Sequence, residues 1–288
     1  MTNVLRTLVF DGQVSLTVAD TTAIVKKAIQ LHKLSPVSAY VFGKAISAMT
    51  FASACLKGEK GEISLAVKTD GEAVDIAVSG NHALGLRGYI ENTQIQGDDF
   101  YEGENRALGQ NGSLTIIRDD GYARPFVGSC AIPSPATVDT AFETYYAVSE
   151  QLPTRIVTDV RLDKKGRCVY AAVAVLQPLP FADNAALNAT QTTDLQALLD
   201  EVQKQGVEQA VKATFTVDTA VWETRMAKYK CNCSRPYLKK LIISLGEPQM
   251  RQIIAEDGAV RVHCHYCNKD YAFTEEDADS MFGKKENK

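Results

Sequence analysis

Four of the seven cysteines fall in the last sixty residues at two short spacings, Cys231-Asn232-Cys233 and Cys264-His265-Tyr266-Cys267. Two such pairs, some thirty residues apart, supply four soft thiolate donors that folding can gather around one ion. A closed tetrahedral zinc site needs that donor set, so Cys231, Cys233, Cys264 and Cys267 are the expected metal ligands. Four thiolates on Zn²⁺ leave a net charge of about −2, which Lys230, Arg235, His263 and His265 beside the ligands could offset. The neighbouring sulfurs of the Cys-x-Cys pair can also oxidise to each other. Disulfides bind zinc poorly, so oxidation and metal loss would be a single event. The site can therefore be read as a passive clip or as a latch. The latch is favoured because Cys-x-Cys is less usual than Cys-x-x-Cys in static zinc ribbons, and because the preceding segment has modest intrinsic stability.

No other chemistry competes with it. The chain has no glycine-rich phosphate loop, no nucleophile elbow, no metalloprotease helix pair and no internal repeat. His32 and His82 stand alone and are expected to be structural or solvent-facing. Cys55, Cys130 and Cys168 are scattered singly and are expected to be small buried hydrophobes. Trp222, the only tryptophan, is expected to be a packing anchor. The composition is that of a globular protein, 45% hydrophobic and 23% charged, with a formal net charge of −4. That balance argues against nucleic-acid binding by bulk electrostatics. The segment Met1-Thr2-Asn3-Val4-Leu5-Arg6 lacks the basic start and apolar core of a secretory signal. A cytosolic location is expected, where cysteines are more often metal-bound or redox-active than structurally disulfide-bonded.

The elements that must carry this site can be read from periodicity. Val4–Phe10 and Val14–Val18 form a hairpin across Asp11-Gly12. Asp20-Thr21-Thr22 caps a helix to about Leu31, and Ser35-Pro36 opens a second one running to Leu56 and stopping near Gly58. The second helix is long enough to span a bilayer, but Lys44 with Ser38, Ser47, Thr50 and Ser53 favours burial in a soluble core. Strands follow from Glu62 and from Ala73 to Val78, with another at Leu84–Ile90. Asn92–Gly112 reads as a long surface loop. Ser113–Arg118 and Ala123–Cys130 form a second hairpin. A helix capped near Ser134–Thr137 carries Val138, Ala141, Phe142, Tyr145 and Val148 on one face. Arg155–Leu162 and Cys168–Gln177 form a third hairpin. The fold expected is α+β: an α+β body with antiparallel hairpins over residues 1–180, a metastable helical linker over 181–230, and a small zinc-binding module over 231–288. In the linker, Thr193–Gln205 is helical, with Leu195, Leu198, Leu199 and Val202 on one stripe. That stripe is the candidate client-binding or linker surface. In the module, Ser234 caps a helix to Leu245, Pro248 opens another, Ala259–His263 and Asp270–Phe273 are strands, and Thr274 begins a last helix ending at Gly283. Gly283–Lys288 is expected to be a disordered tail. So small a module has little core of its own, and metal would supply most of its folding free energy.

At this point the sequence resembles the bacterial redox-regulated holdase chaperones, the heat shock protein 33 family. The residues that carry the likeness are Cys231-Asn232-Cys233-Ser234, Leu241-Ile242-Ile243-Ser244-Leu245-Gly246, and Cys264-His265-Tyr266-Cys267 followed by Tyr271-Ala272-Phe273. In the body, Leu34-Ser35-Pro36, Leu56-Lys57-Gly58 and Tyr145-Tyr146-Ala147-Val148-Ser149-Glu150-Gln151-Leu152-Pro153 match as well. Arg235-Pro236-Tyr237 stands where many relatives carry an acidic residue soon after the serine, a departure that alters the charge beside the ligands. The resemblance implies an ATP-independent holdase whose reduced, zinc-bound form is inactive. It further implies that oxidation forms Cys231–Cys233 and Cys264–Cys267 disulfides, releases zinc, unfolds the module and linker, and turns a monomer into a homodimer. Unfolding client proteins are then held until an ATP-dependent foldase takes them over.

Two other classes fit the residues less well. A zinc-ribbon nucleic-acid binder would rest on Lys239-Lys240, but acidic and basic residues are equal in number from Cys231 to Lys288, leaving no basic face. A zinc enzyme would keep an open coordination position, and four cysteines fill the shell. The expectation is therefore a chaperone and not an enzyme, with no nucleic-acid or membrane partner.

Overall fold

The computed structural model describes residues 2–121, 124–217 and 221–283. The expected tail after Gly283 lies outside the described residues, as does the start of the strand expected from Ala123. The chain divides into two compact units, residues 1–230 and 231–288.

The first unit begins with β1 (Thr2–Val9) and β2 (Val14–Asp20), then α1 (Thr22–His32) and α2 (Pro36–Ala54). β3 (Glu62–Lys68), β4 (Asp75–Asn81) and β5 (Gly85–Ile90) precede α3 (Phe100–Leu108). β6 (Ser113–Asp119) and β7 (Phe126–Ala131) lead into α4 (Val138–Tyr145), which continues as a π turn (Tyr146–Glu150). β8 (Arg155–Leu162) and β9 (Cys168–Pro178) complete the hairpins. Three helices follow, α5 (Asn184–Thr192), α6 (Leu195–Gln205) and α7 (Val207–Thr214), and then β10 (Glu223–Tyr229). The strands join in one sheet ordered β7-β6-β3-β4-β5-β10-β1-β2-β9-β8. This is the α+β body with antiparallel hairpins that the sequence predicts; among the described residues its one parallel pairing is β10 with β5.

β9 explains why the sheet needs cover on both faces. Its residues Ala171, Val173 and Val175 enter one core with α1, α2 and α4, whereas Tyr170, Ala172, Ala174 and Leu176 enter a second core. A strand buried on both faces reads as a continuous apolar run, as Tyr170–Leu176 does. The second core is closed by Leu195, Leu198, Leu199 and Val202 of α6 with Val207 and Val211 of α7. α2 forms the centre of the first core and is buried almost all round. Its buried polar side chains find partners: Ser38 donates to the Asn92 carbonyl at 3.0 Å, Ser47 meets Thr21 at 2.6 Å, and Thr50 and Ser53 donate to the carbonyls of Ile46 and Met49. Lys44 pairs with Glu104 at 2.9 Å and Asp139 at 3.4 Å. Among the described residues no helix is long and apolar enough to cross a membrane.

Three expectations are corrected. The loop expected over Asn92–Gly112 contains α3, started by Asp99, whose side chain accepts from the Glu102 N–H at 3.0 Å. Its buried side includes Glu104, a charge that reads as surface in the sequence but is held inside by Lys44 and by the Val138 N–H at 2.7 Å. Val148 does not share the apolar face of α4; it is 62% exposed, because the π turn rotates the chain and buries Tyr146 instead. The linker is helical over α5–α7 but not over Glu223–Tyr229, where the chain is the strand β10.

The second unit contains α8 (Arg235–Ile243), α9 (Glu247–Asp257), β11 (Val260–Cys264), β12 (Lys269–Phe273) and α10 (Glu275–Phe282). Its core is small but real: Leu238, Ile242, Met250, Ile254, Val260, Phe273 and Ala278. Arg251 fastens it through Glu247 at 2.8 Å, Asp279 at 3.0 Å and the Glu275 carboxylate.

Candidate metal centre

Each thiol is placed by a local device. Cys231 follows β10 by two residues, and its Sγ lies 3.5 Å from the Cys233 N–H. Cys233 immediately precedes Ser234, whose side chain accepts from the Tyr237 N–H at 3.3 Å and so starts α8. Cys264 ends β11, and Cys267 sits in the turn to β12. That turn is closed by N–H groups of Cys267 and Asn268 on the Cys264 carbonyl, at 3.2 and 2.8 Å. Asn268 takes the left-handed conformation, φ 57°, that a tight turn requires.

The four Sγ atoms lie within 4.8 Å of one another. The separations across the two pairs are 3.6 Å for Cys231–Cys264 and 3.2 Å for Cys233–Cys267. A tetrahedral Zn–S shell at 2.3 Å per bond has sulfur–sulfur edges of about 3.8 Å, so the donor set fits a four-coordinate ion. All seven cysteines are free thiols; Cys55 is half-buried, and Cys130 and Cys168 are buried.

As free thiols, Cys231, Cys233 and Cys267 are unequal. Burial opposes ionisation at Cys233, but the Tyr271 hydroxyl 3.4 Å away and the adjoining thiols outweigh it and bring this thiol down to about 7. Burial pushes Cys231 up to about 11. Burial and the neighbouring thiols push Cys267 well above the usual thiol range. Cys233 thus reaches the nucleophilic thiolate more readily at neutral pH than Cys231 or Cys267. Tyr271 has a role that cysteine spacing could not disclose. The signal available was its register in the β11–β12 hairpin, opposite Val262 and one pleat from the Cys264–Lys269 pair.

The cationic neighbours are largely engaged elsewhere. Arg235 pairs with Asp277 at 2.6 Å and stacks 4.5 Å from the centre of the Phe273 ring. His263 meets Asp270 at 2.7 Å and packs edge-on against His265. Their electrostatic help to four thiolates is correspondingly smaller than their position in the chain suggests. Lys239, half of the basic pair, contacts Ser280 at 2.7 Å. The candidate client stripe is wholly covered: Leu195, Leu198, Leu199 and Val202 are all buried against β9 and its neighbours. His32 is buried against the Tyr229 hydroxyl at 3.2 Å, and His82 bonds the Leu56 carbonyl at 2.9 Å, so both are structural. Trp222 packs at the margin of the second core under Lys212.

One unit with a sheet covered on both faces and a second, small unit in which four thiols converge define a protein that combines a large folded body with a metal-capable centre. The family model described as Hsp33 protein matches residues 3–274. The chain belongs to the Hsp33 family of chaperones. It is 29% identical over 295 residues to a 33 kDa chaperonin of Clostridium perfringens, covering 98% of this chain and 92% of that one. It is 30% identical over 284 residues to the 33 kDa chaperonin of Bacillus cereus, covering 96% and 97%. The crystal structure of the Thermotoga maritima Hsp33 homologue shares the fold, with a TM-score of 0.83 over 97% of each chain at 23% identity.

Proposed function

We propose that this protein is a redox-switched, ATP-independent holdase that acts in the cytoplasm. The observation that carries this reading is the convergence of Cys231, Cys233, Cys264 and Cys267 at the end of a segment that is continuous with α5–α7 and β10. Zinc is the proposed ion; when bound, it holds four thiolates together and lends the module folding free energy on the order of 10–16 kcal/mol, the range for zinc-finger peptides.

The chain's own chemistry is thiol oxidation. Within each proposed pair, Cys231–Cys233 and Cys264–Cys267, two thiolates surrender two electrons and one S–S bond forms. The oxidant, a peroxide or hypochlorous acid, accepts those electrons with protons; its O–O or O–Cl bond breaks to give water, or water and chloride. Two equivalents of oxidant therefore consume all four ligands. A disulfide sulfur is a poor donor, so the module keeps only its small core and would unfold.

Residues 181–230 are the proposed conditional linker between the body (1–180) and the switch (231–288). Ordering a residue costs about 1–2 kcal/mol, while each buried Leu or Val contributes about 1.5–3 kcal/mol. In α6 and α7 fewer than half of the positions are buried. Their docking thus has little surplus, and losing the anchored end would release them. The uncovered stripe Leu195, Leu198, Leu199 and Val202, with the β9 surface beneath it, then meets unfolding clients. Dimerisation of the oxidised form and transfer of clients to an ATP-dependent foldase complete the cycle.

The deciding experiment follows zinc release, free-thiol count and aggregation of a thermally unfolding client together during oxidation with peroxide and mild heat. Coincident zinc release, loss of four thiols and suppressed aggregation are expected. Client aggregation that proceeds unchanged after zinc has left would overturn the proposal.

A further inference from the structure

β10 occupies an unusual place. It comes after the helices that cover the second core, yet it is inserted near the middle of the sheet, between β5 and β1. On one side it runs antiparallel to β1 from Thr2↔Ala227 to Arg6↔Glu223. On the other it runs parallel to β5 through Lys228↔Gly85 and Tyr229↔Leu86. Without β10 the sheet would fall into a five-stranded part ending at β5 and a four-stranded part ending at β1.

The strand is held by backbone far more than by side chains. Of its seven residues only Ala227 is buried, and Met226 is 47% exposed. Its side-chain fastenings centre on two residues. The Tyr229 hydroxyl donates to the Gly88 carbonyl at 3.0 Å and lies 3.2 Å from His32, and Arg225 donates to the His82 carbonyl, while the Lys228 and Lys230 N–H groups donate to the Leu84 and Leu86 carbonyls at 3.0 and 2.7 Å. Only Lys230 separates the end of β10 from Cys231, so the strand is tied covalently to the first thiol of the switch.

We propose that the slot between β1 and β5 is the site where an extended segment of an unfolding protein is held, by strand addition in place of β10. This inference rests on the switch reading above and specifies what the switch uncovers. Vacating the slot bares two unpaired strand edges flanked by Val4, Leu5 and Leu86, each buried while β10 is present. Unpaired edges of this kind pair with any extended chain. β10 itself shows what the slot demands: a backbone free of proline at the ladder, a small residue where Ala227 lies and an apolar or aromatic one where Tyr229 lies. It asks almost nothing of the other positions. A site that reads main chain and ignores most side chains suits clients of unrelated sequence, and it closes again when β10 returns.

The test uses the full chain, oxidised, with and without a thermally unfolded client. Hydrogen exchange is followed in peptides covering Thr2–Val9 and Gly85–Ile90. The amides of β1 and β5 that face β10 are expected to lose protection on oxidation and to regain it in the client complex. Amides that stay exposed in the complex would overturn the proposal. So would amides that stay protected after oxidation without client, the result expected if the β10 of a second copy fills the slot. A second arm staples β10 in place with Asn3→Cys and Met226→Cys, which lie directly opposite each other and are both exposed. With the staple verified by mass spectrometry, zinc release and thiol loss at the switch are expected to persist while client holding falls sharply, to what the α6 stripe alone supports. Full holding by the stapled protein after zinc release overturns strand addition and leaves the redox switch standing. Failure of the unstapled protein to hold clients after zinc release removes both.

Discussion

Replacing Leu198 by alanine isolates the step that links the proposed switch to client binding. Leu198 is 1% exposed and packs with Leu195, Leu199 and Val202 into the core formed by Leu16, Ala172, Ala174 and Leu176. Truncating a leucine in such a setting costs about 2–5 kcal/mol, the transfer of its methyl groups plus the cavity left behind. If α6 detaches when the switch opens, nearly all of that cost falls on the docked state, because exposed leucine and exposed alanine differ little. Taking about 3 kcal/mol, the ratio of docked to undocked linker falls roughly a hundredfold at constant redox state. The reduced, zinc-loaded Leu198→Ala protein should then suppress aggregation of a thermally unfolding client without oxidant. Light scattering in the presence of excess thiol reductant and zinc measures it. Leu187 on α5, 39% exposed, serves as the control, and Leu187→Ala should leave the reduced protein inactive. If Leu198→Ala lowers the thermal midpoint but the reduced protein still fails to hold client, α6 is not the conditional element and the coupling argued above is wrong.

The remaining predictions concern the body and the module. Lys44→Met strands the Glu104 and Asp139 carboxylates in the core; breaking a buried ion pair costs about 3–5 kcal/mol, and calorimetry should show the body's Tm falling by roughly 6–20 °C. Burial holds both carboxyls above their ordinary range even with Lys44 present, and Lys44 is held above its own range because the two carboxylates outweigh burial. A carboxyl raised in the folded state withdraws stability as pH rises through its unfolded value. The Lys44→Met deficit should therefore be smaller near about pH 5 than near about pH 8, and an equal deficit at both contradicts the assignment. Cys267→Ser removes the most buried of the four thiols, and the purified protein should lose stoichiometric zinc together with exchange protection in α8–α10. Retention of one zinc per chain by that variant would exclude Cys267 from the ligand set. Chelation of the reduced wild-type protein should collapse the dispersed amide signals of residues 231–283 while those of β3, β4 and β6 keep their positions, since the two units have separate cores.

What could be read from the sequence was whatever depends on local chemistry. Ser35-Pro36 opens α2 and Thr137 opens α4, because a hydroxyl that accepts an N–H two or three residues on is a short-range interaction. The thiol cluster was legible for a different reason: few other folds would need two cysteine pairs at those spacings. The rest depended on partners distant in the chain. α3 was hidden because Glu104 reads as solvent-facing until Lys44, sixty residues earlier, is placed beside it. The π turn was hidden because a widened turn leaves no trace in apolar periodicity, so Val148 seemed in phase with Tyr145. β10 was hidden because a strand whose side chains are mostly exposed carries no alternation, and its strandedness comes from β1 and β5. Tyr271 could be placed beside Cys233 only once the β11–β12 hairpin had fixed its register.

The pairing of β1 with β10 also sets a timetable for synthesis. β1 is made first, but the strand that pairs with its outer edge lies more than two hundred residues downstream. At about 5–20 residues per second, roughly 10–45 s pass before that partner emerges. From the moment β5 is made until β10 follows, the nascent body carries the same bare edges at β1 and β5 that the mature protein hides. A newborn chain of this protein is thus, for a time, in need of the protection it later extends to others. Truncation between Ile90 and Glu223 would make that condition permanent.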